Sequence, residues 1–203
     1  MEWSLLTDEV RVVILVRHAH AGQKAQWHEH DSLRPLTALG RAQATGLIAS
    51  LAADDLSQAW SSPTVRCRQT LAPLAVDRGL SIEDHPLLAK GAPTEDLLEW
   101  MLAHAAAPWV LCTHGEVFNA LLLTAHAAGV VTAPALVTEK GAAWRVTRHP
   151  NGRTEMEYLP PLLRCSPECS SEMWLTKART RPPDSGAVTT CDDAQGTPAP
   201  ECS

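Results

Sequence analysis

Short apolar runs alternate along the chain with longer segments in which apolar residues recur every three or four positions. The runs 11–16 (RVVILV) and 110–113 (VLCT) are almost entirely apolar, which is typical of strands buried on both faces of a parallel sheet. Another strand is predicted near 57–60 (SQAW). The helical spacing predicts four helices, at 37–53, 63–78, 94–104 and 116–128.

Several of the predicted helices carry residues that commonly begin or end a helix. Thr37 is placed to cap the first helix, and Pro63 suits the first turn of the second. Gly79 and Gly129 are expected to end the second and fourth helices.

The C-terminal part of the pattern predicts a hairpin and then a loss of structure. Segments 142–147 and 154–158 flank the turn sequence HPNGR and predict a closing hairpin. With the alternating strands and helices, this predicts a three-layer α/β/α sandwich with a mostly parallel central sheet. We expect a lead at 1–10, one domain at 11–163 and a disordered tail at 164–203, which is rich in Pro, Ser, Thr and Gly.

Composition narrows the possible partners. A chain of 203 residues with 45% hydrophobic content can form one domain with a substantial core. The net charge of −6 opposes binding to a nucleic acid polymer or an anionic membrane. No apolar run reaches the roughly 18 residues needed to span a bilayer, and the N-terminus lacks the features of a signal peptide. We therefore expect a cytoplasmic protein.

Neither the cysteines nor the histidines predict a metal site. Cys67 and Cys112 lie in apolar segments, and the four tail cysteines match no standard zinc spacing. Although His20, His28 and His30 are close in sequence, no carboxylate pattern completes a ligand set, and Arg17 opposes a dication there. No metal or cofactor is expected.

Three motifs place basic side chains where predicted strands end. LVRHAHAG puts Arg17 and His18 after the first strand, and SSPTVRCRQT puts Arg66 in the helix that follows the second. LCTHGEVF puts His114 and Gly115 between a strand and a helix. Because ligands of open α/β sheets bind at the carboxyl ends of the strands, we expect these residues to meet there.

This set of residue types suits phosphoryl transfer, in which negative charge develops on three equatorial oxygens. Arg17 and Arg66 could each bind a pair of these oxygens through the guanidinium fork, while His18 attacks the phosphorus. His114 and the amides at the helix start after Gly115 could donate further hydrogen bonds. Two more basic residues, Arg34 and Lys24, are candidates for substrate binding, although Arg34 could equally pin a loop and Lys24 could be a solvated lysine.

The motifs LVRHAHAG, SSPTVRCRQT and CTHGE resemble those of the histidine phosphatase (phosphoglycerate mutase-like) superfamily. The resemblance covers about residues 12–158 and implies that His18 is phosphorylated. It also implies that Arg17, Arg66 and His114 bind the phosphoryl group. Several segments look more narrowly like the phosphatase half of MutT-type Nudix proteins, without a Nudix box. The R-P-L-T element is similar to the SixA-type phosphohistidine phosphatases.

The sequence departs from the family pattern in two places. Ala19 stands where the family usually has Gly, a small change that leaves the phosphate site open. No residue clearly matches the acid that protonates the leaving oxygen in many members; the acidic residues of that region are Glu83, Asp84, Glu95 and Asp96. Without a strong acid, the preferred leaving group is one that departs unprotonated. This favours phosphohistidine or a nucleoside di- or triphosphate.

Other functions remain open at this stage. A phosphoglycerate mutase-like mutase or a broad phosphomonoesterase would need the missing acid. A catalytically silent phospho-ligand binding or regulatory module would not need an intact set of two arginines and two histidines. The expected partner is a small phosphorylated substrate or a phosphohistidine protein, and the sequence predicts no particular oligomeric state.

Overall fold

The computed structural model describes residues 10–104, 108–129 and 138–163. In these ranges the strands are β1 (Arg11–Arg17), β2 (Gln58–Ser61), β3 (Ile82–Asp84), β4 (Trp109–Thr113), β5 (Ala143–Arg148) and β6 (Thr154–Leu159). The helices are α1 (Ala38–Ser50), α2 (Val65–Arg78), α3 (Thr94–His104) and α4 (Gly115–Ala127). Short 3₁₀ turns lie at Lys24–Gln26, Asp31–Leu33 and Pro86–Leu88.

The six strands form one sheet in the order β3-β2-β4-β1-β5-β6. The pairs β3–β2, β2–β4 and β4–β1 are parallel. The β5–β6 hairpin adds to β1 in the antiparallel sense. This confirms the predicted mostly parallel sheet with a closing hairpin, and it brings the carboxyl ends of β1, β2 and β4 to one edge.

Helices cover both faces of the sheet, because alternate residues of a strand point to opposite sides. Ile14 and Val16 of β1 lie in an apolar cluster with residues of α1 and α2. Val13 and Leu15 lie in a second cluster with residues of α3 and α4. The predicted three-layer sandwich is therefore confirmed.

The helix boundaries follow the sequence signals with one exception. Thr37 caps α1 by accepting a hydrogen bond from the amide of Gly40, and Gly79 ends α2 in a left-handed conformation with φ of 65°. The prediction that Pro63 lies in the first turn of α2 is wrong, since the helix begins at Val65. The Ser62 amide still bonds to β4, through the Cys112 carbonyl at 2.9 Å, so the chain turns into the helix only after this point.

The sequence does not predict the edge strand β3, because three residues are too few to show an alternating pattern. The expectations for the lead and for the tail after residue 163 concern residues that, apart from Val10, lie outside the described ranges. Within those ranges, no helix combines the length and the apolar character needed to cross a bilayer.

An ion pair ties the antiparallel edge of the sheet to the loop after α1. Arg145 of β5 donates two hydrogen bonds to Asp54, from Nε to Oδ1 at 2.8 Å and from Nη2 to Oδ2 at 2.7 Å. The Asp54 side chain is only 8% exposed. This hydrogen bonding raises the pKa of Arg145 above its ordinary value. The bidentate geometry is the kind that contributes measurably to stability.

We expect Arg145→Gln to lower the free energy of unfolding by about 2 kcal/mol, because it leaves the Asp54 carboxylate without its charged partner. Arg153→Gln is the matched control, since Arg153 forms its ion pair with Glu155 while 70% exposed. The control should lose less than about 1 kcal/mol. Urea unfolding of the two variants makes the comparison, and equal losses would contradict the role given to Asp54.

Candidate active site

The site lies where β1 and β4 end side by side. Arg17, the last residue of β1, pairs with Thr113, the last residue of β4. The next residue, His18, donates its amide to the Thr113 carbonyl at 2.9 Å, and His114 is the N-cap of α4. The rings of His18 and His114 meet edge to face, with centroids 5.3 Å apart. The strand register thus brings Arg17 and His18 beside His114, which is far from them in sequence.

The His18 imidazole is held as a neutral ring with one nitrogen anchored. Its Nδ1 lies 2.8 Å from the carbonyl oxygen of Ala19. Because a carbonyl can only accept, Nδ1 carries the proton and Nε2 keeps its lone pair. Burial lowers the pKa of His18 to about 3; the bond to Ala19 opposes this shift, and the charges of His114, Arg66 and Arg17 add to it. The ring therefore has a free nucleophilic nitrogen at neutral pH.

Arg66 is the most deeply buried cation of the site, with 1% of its side chain exposed. Its guanidinium donates from Nη1 to the Asp31 carbonyl at 2.6 Å and from Nη2 to the Asp31 carboxylate at 3.1 Å. Its backbone carbonyl accepts from Thr70 Oγ1, which in turn accepts from the Ala19 amide. Arg66 is thus linked both to the loop after β1 and to the residue that anchors His18.

Arg17 packs directly against the start of α4. A Cβ atom added to Gly115 would lie 2.8 Å from Cζ of the Arg17 guanidinium, closer than real side chains approach. Arg17 also donates from Nη1 to the Thr138 carbonyl. The Nε–H groups of Arg17 and Arg66 are both buried, and neither has an acceptor among the described residues. Two unsatisfied cationic donors beside a neutral imidazole are suited to an anion.

His114 is fully buried and is held by both ring nitrogens. Nδ1 accepts from Arg66 Nη2 at 3.3 Å, so Nε2 carries the proton and faces Ser62 Oγ at 2.9 Å. In this arrangement His114 orients Arg66. The hydrogen bond from His114 to a transferring group, expected from the sequence, stays a prediction.

The structure thus brings Arg17, His18, Arg66 and His114 together and adds partners that sequence reasoning missed. Thr70 follows Arg66 by one helical turn, so the i, i+4 spacing could have placed it on the same face. Asp31 begins a three-residue 3₁₀ turn, and Ser62 and Thr138 lie between elements, so no periodic signal marks them.

The remaining candidates for substrate binding, Arg34 and Lys24, follow β1 in the chain. Arg34 is buried and donates to the Asp31 carboxylate at 2.9 Å and to the Ala21 carbonyl at 2.6 Å. These bonds hold the loop after β1, and a role of Arg34 in substrate binding stays a prediction. Lys24 is exposed on a 3₁₀ turn of that loop. Within the described ranges, no cluster of His, Cys, Asp and Glu has the arrangement of a metal site.

The two carboxyl groups at the site are poor proton donors. Burial raises the pKa of Asp31, but the Arg34 hydrogen bond and the charges of Arg66, Arg34 and Lys90 leave it below its ordinary value. Burial also raises the pKa of Glu116, but the hydrogen bond to Lys90 at 2.7 Å, a backbone hydrogen bond and the charges of Lys90 and His114 together leave it below its ordinary value. The four acidic residues considered from the sequence, Glu83, Asp84, Glu95 and Asp96, are all exposed.

Comparison with known proteins gives the family. The model of the histidine phosphatase superfamily (branch 1) matches residues 13–90, which include three of the four residues gathered at the site, namely Arg17, His18 and Arg66. The chain belongs to the histidine phosphatase superfamily.

Relatives of this histidine phosphatase include an 8-oxo-(d)GTP phosphatase of Mycolicibacterium smegmatis, 31% identical over 158 residues. The match covers 75% of this chain but 49% of that protein, so the chain spans about half the length of this relative.

Solved structures share the fold. The protein histidine phosphatase SixA in complex with tungstate has a TM-score of 0.59 and 21% identity, with 74% of this chain and 97% of that chain covered. A protein assigned as a phosphohistidine phosphatase SixA, from Agrobacterium tumefaciens, has a TM-score of 0.55 and 26% identity, with 74% and 98% covered.

Gly115→Ala should displace the Arg17 guanidinium of this histidine phosphatase, since the added methyl group occupies its position. We expect orthovanadate, a phosphoryl mimic, to bind at least about tenfold more weakly, which corresponds to one lost charged hydrogen bond. Gly129→Ala is the control: its φ of 70° strains an alanine, but it lies beyond the other end of α4 and an added Cβ meets nothing within 4 Å, so the substitution does not touch Arg17. Unchanged vanadate affinity in Gly115→Ala, measured by calorimetry, would contradict the packing argument.

The buried neutral His18 should make the fold sensitive to acid. In the unfolded chain this side chain takes up a proton near pH 6.5, whereas in the folded protein it does so only at about pH 3. Stability from His18 is therefore complete above pH 6.5 and is lost as the pH falls towards 3, by up to about 1.4 kcal/mol per pH unit.

His18→Asn keeps a donor towards the Ala19 carbonyl but cannot take up this proton. The difference in unfolding free energy between wild type and variant should be constant from pH 8 to 7 and shift in favour of the variant from pH 6 to 4. Urea unfolding at each pH measures it. A difference independent of pH over the whole range would show that His18 is not held neutral.

Proposed function

We propose that this histidine phosphatase hydrolyses phosphorylated substrates with good leaving groups through a phosphohistidine on His18. The observation that carries the proposal is the neutral His18 ring, anchored at Nδ1, beside Arg17 and Arg66, whose buried Nε–H groups lack an acceptor among the described residues. A nucleophile with a free lone pair and unsatisfied cationic donors together meet the needs of phosphoryl transfer.

The reaction would proceed in two displacements. In the first, the lone pair of His18 Nε2 forms a bond to phosphorus while the bond to the leaving group breaks and its electron pair departs with that group. Arg17, Arg66 and the first amides of α4 stabilise the charge on the equatorial oxygens. In the second, water attacks the same phosphorus and loses a proton to solvent. The P–N bond breaks and inorganic phosphate leaves.

Asp31 would act as a positioning residue in both displacements. It accepts from Arg66 Nη2 at 3.1 Å and from Arg34 Nε at 2.9 Å, so one carboxylate orients two guanidinium groups. Its pKa lies below the ordinary value, so it stays charged and keeps both contacts at neutral pH.

The nature of the leaving group follows from the carboxyl groups. Asp31 and Glu116 are both ion-paired and deprotonated at neutral pH, so neither is suited to protonate a departing alkoxide. An imidazole or a phosphate can leave without such help. The names of two relatives, an 8-oxo-(d)GTP phosphatase and the protein histidine phosphatase SixA, agree with these two classes of leaving group.

The central test is direct detection of the phosphoenzyme. Wild type incubated with phosphoramidate, which transfers a phosphoryl group to imidazoles, should acquire an acid-labile phosphate seen by intact-protein mass spectrometry. His18→Asn should acquire none and should lose turnover by at least about 10³-fold. His28→Asn, an exposed histidine of the same loop, is the control and should behave like wild type. A wild type that binds phosphate analogues but forms no phosphoenzyme would instead be a silent binding module.

Substrates with different leaving groups provide a second test. We expect kcat/KM for a nucleoside diphosphate or a phosphohistidine peptide to exceed that for glucose 6-phosphate or 3-phosphoglycerate by at least about 10²-fold, the usual contribution of a general acid. Steady-state phosphate release measures the ratio. Comparable values would mean that an acid operates after all, and a mutase or broad phosphomonoesterase would become the better interpretation.

A further inference from the structure

Another cation, Lys140, lies on the turn that precedes β5 and is bonded to the end of β1. The Gly141 amide donates to the carbonyls of Arg17, at 3.1 Å, and His18, at 3.3 Å. The carbonyl of Lys140 accepts from Gln43 Nε2 at 2.9 Å, and Gln43 in turn accepts from the His20 amide. Lys140 therefore sits on a turn that is bonded on both sides to the end of β1.

The surroundings of the Lys140 ammonium are positively charged. Burial lowers the pKa of Lys140, and the charges of Arg17 and Arg34 lower it further. Among the described residues no carboxylate forms an ion pair with Lys140, its exposed neighbour in sequence, Glu139, included. Asp31, in the loop after β1, is already shared by Arg34 and Arg66. The other described lysine near the site, Lys90, is paired with Glu116.

Such an arrangement is unfavourable in the absence of an anion. A half-buried ammonium beside two guanidinium groups loses hydration and gains repulsion, and it gains stability when a negative group lies between them. One transferring phosphoryl group already has Arg17, Arg66 and the amides of α4. A further cation on the Arg34 side indicates a second negative group on the substrate.

We infer that Lys140 binds a second phosphate of the substrate, adjacent to the one transferred to His18, and that the substrate class is a phosphoanhydride such as a nucleoside di- or triphosphate. This rests on the proposed function and narrows it. A phosphohistidine carries a single phosphoryl group on an imidazole and would leave Lys140 without a partner. A phosphoanhydride places its leaving phosphate within one bridging oxygen of the transferred group.

The test compares substrates with one and two phosphates in three variants. Lys140→Gln removes the charge, Lys140→Arg keeps it, and Arg153→Gln removes a charge from the exposed hairpin turn. For ADP, kcat/KM should fall at least about tenfold in Lys140→Gln, as expected for one charged hydrogen bond. For p-nitrophenyl phosphate it should change less than about twofold, because the transferred phosphoryl group keeps its ligands. Lys140→Arg should recover most of the ADP activity, and Arg153→Gln should match wild type on both substrates.

Inhibition provides a readout that does not depend on turnover of a nucleotide. Methylenediphosphonate has two phosphonate groups and cannot be hydrolysed at the bridge, whereas orthophosphate has one group. Lys140→Gln should raise the inhibition constant of methylenediphosphonate about tenfold and leave that of orthophosphate unchanged. Circular dichroism and the thermal midpoint of each variant report whether it is folded.

The outcomes separate the two proposals. If wild type forms the phosphoenzyme but Lys140→Gln affects ADP and p-nitrophenyl phosphate equally, or neither, the role of Lys140 is wrong and the proposed function stands. If wild type forms no phosphoenzyme while calorimetry still shows weaker methylenediphosphonate binding in Lys140→Gln, the proposed function is wrong and the second anion site stands. If wild type forms the phosphoenzyme and Lys140→Gln loses activity on ADP but not on p-nitrophenyl phosphate, both proposals are supported.

Discussion

The parallel pairing of β1 with β4 is the constraint on which the site depends. It places Arg17 opposite Thr113 and, one residue further, joins the His18 amide to the Thr113 carbonyl. The two histidines then leave neighbouring strands at the same level and meet edge to face. A shift of this register by one residue would turn each side chain to the other side of the sheet. The apolar residues of β1, packed between two helical layers, oppose such a shift.

Around this pair the protein concentrates positive charge among largely buried side chains. Asp31 is shared between two arginines, and backbone carbonyls of Ala21, Asp31 and Thr138 accept other guanidinium hydrogens. This compensation is partial, since buried donors of Arg17 and Arg66 remain without acceptors among the described residues. Binding sites commonly keep unfavourable electrostatics of this kind at some cost to stability. The remaining attraction for an anion is the property that the proposed chemistry uses.

The fold could be predicted from the sequence where a repeating physical signal exists. The aliphatic run of β1 and the cap at Thr37 mark their elements because burial and capping each restrict residue type. The four residues predicted for the site could be found because each follows a strand or begins a helix, and strand ends converge in a parallel sheet. Their individual roles were inferred from what phosphoryl transfer requires, and the resemblance to histidine phosphatases implies the same roles.

The residues that the sequence did not predict are those whose neighbours in space are distant in sequence. Asp31 and Lys140 belong to loops without periodicity, and their importance depends on the side chains that the fold brings beside them. Pro63 was misplaced because the pairing of β2 with β4 extends one hydrogen bond further than local propensity indicates.

The anchor of His18 has an evolutionary consequence. Because Nδ1 is held by the main-chain carbonyl of Ala19, a substitution of Ala19 leaves this partner in place and preserves the tautomer of the proposed nucleophile. The loops that carry residues such as Lys140 can then diversify without disturbing the reactive nitrogen. Related proteins with this anchor can therefore change substrate through substitutions in the loops around the site. This fits relatives whose names refer to a nucleotide in one case and to a protein histidine in another.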